Sequence, residues 1–93
     1  MKYFDWDEDK NTKLKAEREI SFEEIQIAIE EGGLLDVIDH PNKTKYPTQK
    51  LFVVNINNYV YLVPFVEDEE KFFLKTTYPS RKMTEKYIIK EKS

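Results

Sequence analysis

Two runs rich in β-branched and aromatic residues meet at an asparagine pair near the middle of the chain. They read KLFVVNI and YVYLVPF, and Asn57 and Asn58 lie between them. Because asparagine tolerates the positive φ angles of tight turns, this arrangement predicts a hairpin with a two-residue loop. Pro64 in the second run cannot donate to a strand ladder, so it predicts a bulge or a strand end.

Residues 20–33, which read ISFEEIQIAIEEGG, carry the start and stop signals of a helix. Ser21 is suited to cap the first turn, and Glu24 three residues later completes a capping box. Apolar residues then recur at helical spacing. Gly32 and Gly33 supply the left-handed stop.

The remaining segments complete the predicted architecture. YFDW at residues 3–6 indicates a short strand or an apolar anchor, and Asp7 can cap a following helix, EDKNTKLKAERE. LLDVID and FFLKTTY are strand-like, and after Pro79 a last helix, RKMTEKYIIKEK, begins at Ser80. Helices followed by a run of strands favour an α+β fold in one domain over residues 1–93. We expect two N-terminal helices, an antiparallel sheet of about four strands and one C-terminal helix.

The composition excludes several classes of site. The 93 residues contain no cysteine and one histidine, His40, so neither a disulfide framework nor a cysteine- or histidine-rich metal site is expected. With Gly32 and Gly33 as the only glycines, a phosphate-binding glycine loop is absent. No apolar run reaches membrane-spanning length, and the charged N-terminus does not resemble a signal peptide. We therefore expect no metal, no cofactor, no membrane and a cytoplasmic location.

The charge of the chain is unevenly distributed. From Lys71 onward seven Lys and Arg residues face two Glu residues, a net +5, and because the whole chain carries −3 the rest sums to −8. Such asymmetry can indicate a nucleic acid or a charged protein partner. The alternative, which composition alone favours, is that a short basic helix is simply solvated.

The basic end contains the residue types that RNA cleavage requires. Internal cleavage needs a base for the 2′-hydroxyl, cations for the phosphorane and an acid for the leaving oxygen. Arg81 cannot act as a base but can fork onto phosphate oxygens, and the start of the last helix also favours an anion. Lys75 and Lys82 can add charge, or act as acids if their pKa values fall. These three are the candidate catalytic residues.

Other residues are candidates for binding RNA. Tyr78 or Tyr87 could stack on a base, although core packing is the stronger interpretation of Tyr87. Lys86 and Thr84 lie in the same basic stretch. His40 has the side-chain type of a general base, but a histidine before proline in a loop is more often just exposed.

Three motifs together resemble the BrnT family of bacterial toxins. They are FDWDEDK, ISFEE and SRKMT followed by a tyrosine, in that order and across nearly the whole chain. The resemblance implies a RelE-like ribonuclease that cuts mRNA, halts translation and is held inactive by a ribbon-helix-helix antitoxin in a hetero-oligomer. The matching residues are Trp6, Asp7, Lys10, Ser21, Phe22, Glu23, Glu24, Arg81, Lys82 and Thr84.

The chain departs from the family pattern at one place. Many BrnT-like chains carry Lys-His-Gly before the ISFEE motif, whereas this one has Glu17, Arg18 and Glu19. If that histidine contributes to catalysis in relatives, Arg18 is the candidate replacement. Otherwise the chain cuts poorly, has a different RNA target or has lost cleavage.

A second function fits the acidic body of the chain. Under this hypothesis the protein is a non-catalytic binding module or regulatory protein that pairs with a small DNA-binding partner. Its working surface would be the exposed carboxylates, which include Glu23, Glu24, Glu30, Glu31 and residues 67–70.

Overall fold

The computed structural model describes residues 2–89 and has an α+β architecture. Its helices are α1 (Glu8–Arg18), α2 (Phe22–Ala28) and α3 (Arg81–Thr84), and its strands are β1 (Tyr3–Trp6), β2 (Leu34–Asp39), β3 (Lys50–Ile56), β4 (Tyr59–Glu67), β5 (Lys71–Leu74) and β6 (Tyr78–Pro79). A π-helical turn follows α2 at Ile29–Gly33, and another follows α3 at Glu85–Ile89. In the part of the chain that the structure describes, no helix is long and apolar enough to cross a membrane.

The sheet differs from the expected antiparallel one of about four strands. Residues 2–89 form six strands in the order β1-β5-β4-β3-β2, and β6 also pairs with β4. The sheet is mixed because β1 runs parallel to β5, with Tyr3 opposite Lys71 and Trp6 opposite Leu74. The sequence pattern of YFDW indicates a strand but says nothing about its partner. This long-range pairing therefore had no sequence signal.

Several local predictions are confirmed. Asn57 and Asn58 have φ angles of 55° and 65° in the turn between β3 and β4. The Ser21 hydroxyl accepts from the Glu24 N–H and the Glu24 carboxylate accepts from the Ser21 N–H, which completes the capping box. Asp7 caps α1, and Gly32 has a φ of 96°.

Pro64 does not end its strand, contrary to one of the two expectations. It lies inside β4, and its carbonyl accepts from the Lys75 N–H at 2.8 Å. In an antiparallel sheet the N–H and the C=O of one residue face the same neighbouring strand. At position 64 that neighbour is the segment between β5 and β6, and proline offers it no N–H donor. Between the Phe65–Leu74 and Leu62–Tyr78 pairs, that segment carries one extra residue. FFLKTTY is therefore two strands rather than the single one expected.

The last helix is also shorter and less regular than expected. The sequence predicts a helix over residues 81–92, whereas α3 is a single α-helical turn that widens into a π-helical turn ending at Ile89. Residues 90–92 lie outside the described part of the chain.

The face of the sheet that carries α1 and α2, here called the α1–α2 face, holds the larger apolar core. Phe52 and Phe65 stack there with ring centroids 3.8 Å apart. Asn11 is fully buried between the helices, and its Oδ1 accepts from the Phe22 N–H at 2.8 Å. The buried apolar side chains are Leu14, Ile20, Phe22, Ile25, Phe52, Val54, Val63, Phe65 and Leu74.

The opposite face, here called the α3 face, is covered by α3 and the turn that follows it. Their side chains pack on a smaller cluster of Leu51, Val53, Val60 and Leu62. The Thr84 hydroxyl accepts from the Val60 N–H at 2.8 Å, and the Tyr87 hydroxyl donates to Asp36 at 2.6 Å. The helical segment thus runs from β4 towards β2 and lies away from β1 and β5.

Candidate nucleic-acid interface

Phe73 is the centre of a basic surface on β5. Because strand residues alternate between faces and Leu74 belongs to the core of the α1–α2 face, Phe73 points to the α3 face. It is half-buried and belongs to neither apolar cluster. The ammonium groups of Lys71 and Lys75 lie 5.8 and 5.4 Å from the centroid of its ring. One aromatic ring is therefore flanked by two cations.

The structure brings Lys75 and Arg81 to the same face of the sheet. Lys75 shares the face of Phe73, and Arg81 opens the helix that packs on that face. The Arg81 side chain is 86% exposed, and its Nε lies 3.9 Å from a Glu85 oxygen, too far for a hydrogen bond. Among residues 2–89, Lys75 forms no ion pair. Arg81 therefore forms only a long, exposed ion pair with Glu85, which solvent screens, and Lys75 forms none in this part of the chain.

Lys71 is held more firmly than Lys75. Its ammonium donates to Asp5 on β1 at 3.2 Å, and this hydrogen bond raises the pKa of Lys71. The Trp6 N–H, and then Lys71, lower the pKa of Asp5. Lys71 therefore stays charged, but part of its field is offset by Asp5.

Arg18 reaches from α1 to the segment between β5 and β6. Its guanidinium donates to the Thr77 carbonyl at 2.6 Å, and Thr77 lies between Lys75 and Tyr78. Thr77 is fully buried and its hydroxyl donates to the Leu62 carbonyl, so the anchor point is fixed. Arg18, the candidate that the BrnT resemblance suggested, thus contacts the segment that follows Lys75.

The exposed helix residues Lys82 and Lys86 extend the positive charge along α3 and the turn after it. The Lys86 ammonium lies 5.4 Å from the ring of Tyr87. We call Phe73 with Lys71 and Lys75, together with Arg81 and Lys82 further along the α3 face, the basic face.

Three candidate residues have mainly internal contacts. Thr84 is buried, and its hydroxyl also donates to the Ser80 carbonyl at 2.7 Å, so it holds α3 on β4 and does not face a ligand. Tyr78 packs partly buried against the cluster under α3, and burial raises the pKa of its hydroxyl. At neutral pH that hydroxyl can donate a proton but is not a base. Tyr87 packs in the same cluster, which confirms the core-packing interpretation of this residue.

His40 lies away from the other candidates. It follows β2, which is three strands from β5, or roughly 14 Å at the usual strand spacing. Its Nδ1 accepts from the Asn42 N–H at 3.0 Å, and its ring centroid is 4.5 Å from that of Tyr46. The imidazole thus organises the loop between β2 and β3, and the structure does not place it with Lys75 and Arg81.

Sequence reasoning did not include Phe73 and Lys71 among the candidate residues. The signal was present in KFFLK, because Lys71, Phe73 and Lys75 recur at every second position. In a strand this spacing places all three side chains on one face.

The sequence matches no family model, no curated protein and no solved structure. The resemblance to the BrnT family therefore stays a prediction that depends on the three motifs.

Proposed function

We propose that this protein is a RelE-like toxin of a type II toxin–antitoxin system, which inhibits translation by cleaving RNA without a metal ion. The observation that supports this function best is that Lys75 and Arg81 both lie open to solvent on the α3 face of the sheet, with Lys75 beside the Phe73 ring. Cations next to an aromatic ring match the phosphate and the base of a nucleotide.

The proposed chemistry assigns a task to each side chain. Arg81 forks onto the non-bridging phosphate oxygens, Lys75 adds charge, and Phe73 stacks on a base beside the cut. The 2′-oxygen forms a bond to phosphorus while the bond from phosphorus to the 5′-oxygen breaks. The 2′-hydroxyl proton leaves to solvent, and the ammonium of Lys75 or Lys82 protonates the 5′-oxygen and is recharged by solvent. The products are a 2′,3′-cyclic phosphate and a 5′-hydroxyl.

The direct test is cleavage of a defined single-stranded RNA by the purified protein in EDTA, with the ends of the fragments identified. We expect Arg81→Ala and Lys75→Ala each to slow cleavage about 100-fold, the usual loss when one donor to a transition-state oxyanion is removed. Lys13→Ala is the matched control, since Lys13 is an exposed lysine on α1. Wild-type protein that leaves the RNA intact, or equal losses in Lys13→Ala, would contradict the proposal.

The cellular test is growth arrest on expression. We expect arrest by the wild type, none by a folded Arg81→Ala variant, and relief by co-expression of a small ribbon-helix-helix protein encoded beside the gene. Expression that leaves translation unaffected, combined with tight binding to that neighbour, would instead favour a non-catalytic binding module.

A further inference from the structure

A cleft of about 610 Å³ opens on the α1–α2 face, between α2 and the tip of the β3–β4 hairpin. The residues around it belong partly to the core of that face, since Ala28, Ile56 and Tyr61 pack against the core cluster. The cleft therefore lies on the other side of the sheet from the basic face.

The cleft has an apolar and aromatic lining that is open to solvent. Ile27 on α2 is 51% exposed and Tyr59 on β4 is 37% exposed. The rings of Tyr59 and Tyr61 meet edge to face with centroids 6.5 Å apart. Exposed apolar side chains grouped in a concave site are characteristic of surfaces that another molecule covers.

The charge around the cleft has one sign. Glu19, Glu24 and Glu31 line it, and no Lys or Arg among residues 2–89 does. Among residues 2–89 none of the three forms an ion pair, although Glu24 is engaged in the capping box with Ser21. Lys15 borders only the smaller adjoining hollow. The cleft thus presents unpaired carboxylates beside aromatic faces.

We propose that this cleft docks a segment of a partner protein that carries arginine or lysine next to an apolar side chain. The apolar side chain covers Ile27 and Tyr59, while the cation lies over a tyrosine ring and pairs with Glu31 or Glu19. A nucleic acid is the wrong occupant, because its phosphates would meet three carboxylates. The inference does not depend on RNA cleavage, and the position of the cleft leaves the basic face open while a partner is bound.

The test measures fluorescence anisotropy of two labelled peptides of equal length on the full chain. One alternates arginine with leucine, and the other has glutamate at every arginine position. We expect only the arginine peptide to bind, and Glu31→Lys to weaken its binding at least tenfold. Glu69→Lys is the matched control, because Glu69 is an exposed carboxylate outside the cleft and its replacement changes the net charge equally.

A second variant separates docking from general attraction. Ile27→Ser removes apolar contact without changing charge and should weaken the arginine peptide several-fold, while thermal unfolding and RNA cleavage stay as in the wild type. Absence of peptide binding, equal weakening by Glu69→Lys, or no effect of Ile27→Ser would overturn the proposal. Concentration-dependent self-association abolished by both Glu31→Lys and Arg81→Glu would also overturn it, because the occupant would then be a second copy.

Discussion

The two faces of the sheet differ in how completely helices cover them. Of the residues that the structure describes, the α1–α2 face buries nine apolar side chains, including the stacked rings of Phe52 and Phe65, whereas the α3 face buries four. The larger core can supply most of the stability of the fold, since stability follows apolar area removed from water. The smaller one does not include Phe73 on β5, and Lys71 and Lys75 flank that half-buried ring.

The two faces of the sheet also differ in the sign of their charge. The basic face lies on the α3 side, and the cleft lined by Glu19, Glu24 and Glu31 lies on the α1–α2 side. A net charge of −3 therefore conceals two surfaces suited to partners of opposite charge. Variants that affect one face and spare the other can test this division.

The largest contrast is expected between two Phe→Ala variants on opposite faces. Phe65 is 1% exposed in the larger core, so Phe65→Ala should lower the free energy of unfolding by about 3–5 kcal/mol in urea titrations. Phe73 is half-buried outside both clusters, so Phe73→Ala should cost only about 1–2 kcal/mol.

The order of the two variants should reverse when RNA binding is measured instead of stability. Loss of a stacking ring in Phe73→Ala is expected to weaken binding of single-stranded RNA by about 1–3 kcal/mol, measured by anisotropy. Folded Phe65→Ala protein, measured below its thermal midpoint, should bind as the wild type does. If Phe73→Ala matches Phe65→Ala in stability loss, the distinction between the faces is wrong.

A smaller effect is expected at the attachment of α3. Thr84→Val keeps the size of the side chain but leaves the Val60 N–H without its acceptor, so it should cost about 1–3 kcal/mol in the free energy of unfolding. Thr84→Ser retains the hydroxyl and is the control, with a cost below about 1 kcal/mol expected. Equal costs for both variants would show that the hydrogen bond does not hold the helix.

Glu19 offers a variant that should separate stability from docking. It ends α1 with a φ of 56°, a left-handed conformation that glycine adopts without the steric cost of a Cβ. Glu19→Gly should raise the free energy of unfolding by about 1 kcal/mol and weaken the arginine peptide. Glu17→Gly, inside α1, should instead lower it by about 1 kcal/mol. A destabilised Glu19→Gly variant would contradict the strain argument.

Local sequence signals predicted the helix caps and the hairpin because each is set by a few neighbouring residues. Ser21 with Glu24, and Asn57 with Asn58, act over short distances along the chain. The parallel pairing of β1 with β5 joins residues more than sixty positions apart, and no pattern in YFDW specifies that partner. The break between β5 and β6 depends on Pro64 in the neighbouring strand, so no pattern within FFLKTTY predicts it.

The candidate site was predictable in part for the same reason. Arg81 and Lys75 were named from charge, but their shared face follows from the register of β5 and the crossing of α3. Thr84 shows the opposite case. Its hydroxyl type suits RNA contact, and only the three-dimensional structure shows that the Val60 N–H and the Ser80 carbonyl already occupy it.

The smallest effect concerns the far end of the helical segment on the α3 face. The Tyr87 hydroxyl donates to Asp36, which lowers the pKa of Asp36 and raises that of Tyr87. The contribution of Asp36 to stability is therefore present above its ordinary pKa of about 4 and is lost as the pH falls through the lowered value. The contribution of Tyr87 to stability is present below about pH 10 and is lost as the pH rises through the raised pKa of Tyr87.

We therefore expect Tyr87→Phe to be less stable than the wild type between about pH 5 and 9, with the difference shrinking in more acidic and more alkaline solution. Urea titrations across this range measure it, with Tyr59→Phe, which alters an exposed tyrosine on β4, as the control. Subtracting the variant from the wild type removes the acid dependence of other carboxylates such as Asp68, whose pKa backbone N–H groups lower. A difference that stays constant with pH would show that Tyr87 acts through packing on Leu51 and its neighbours rather than through Asp36.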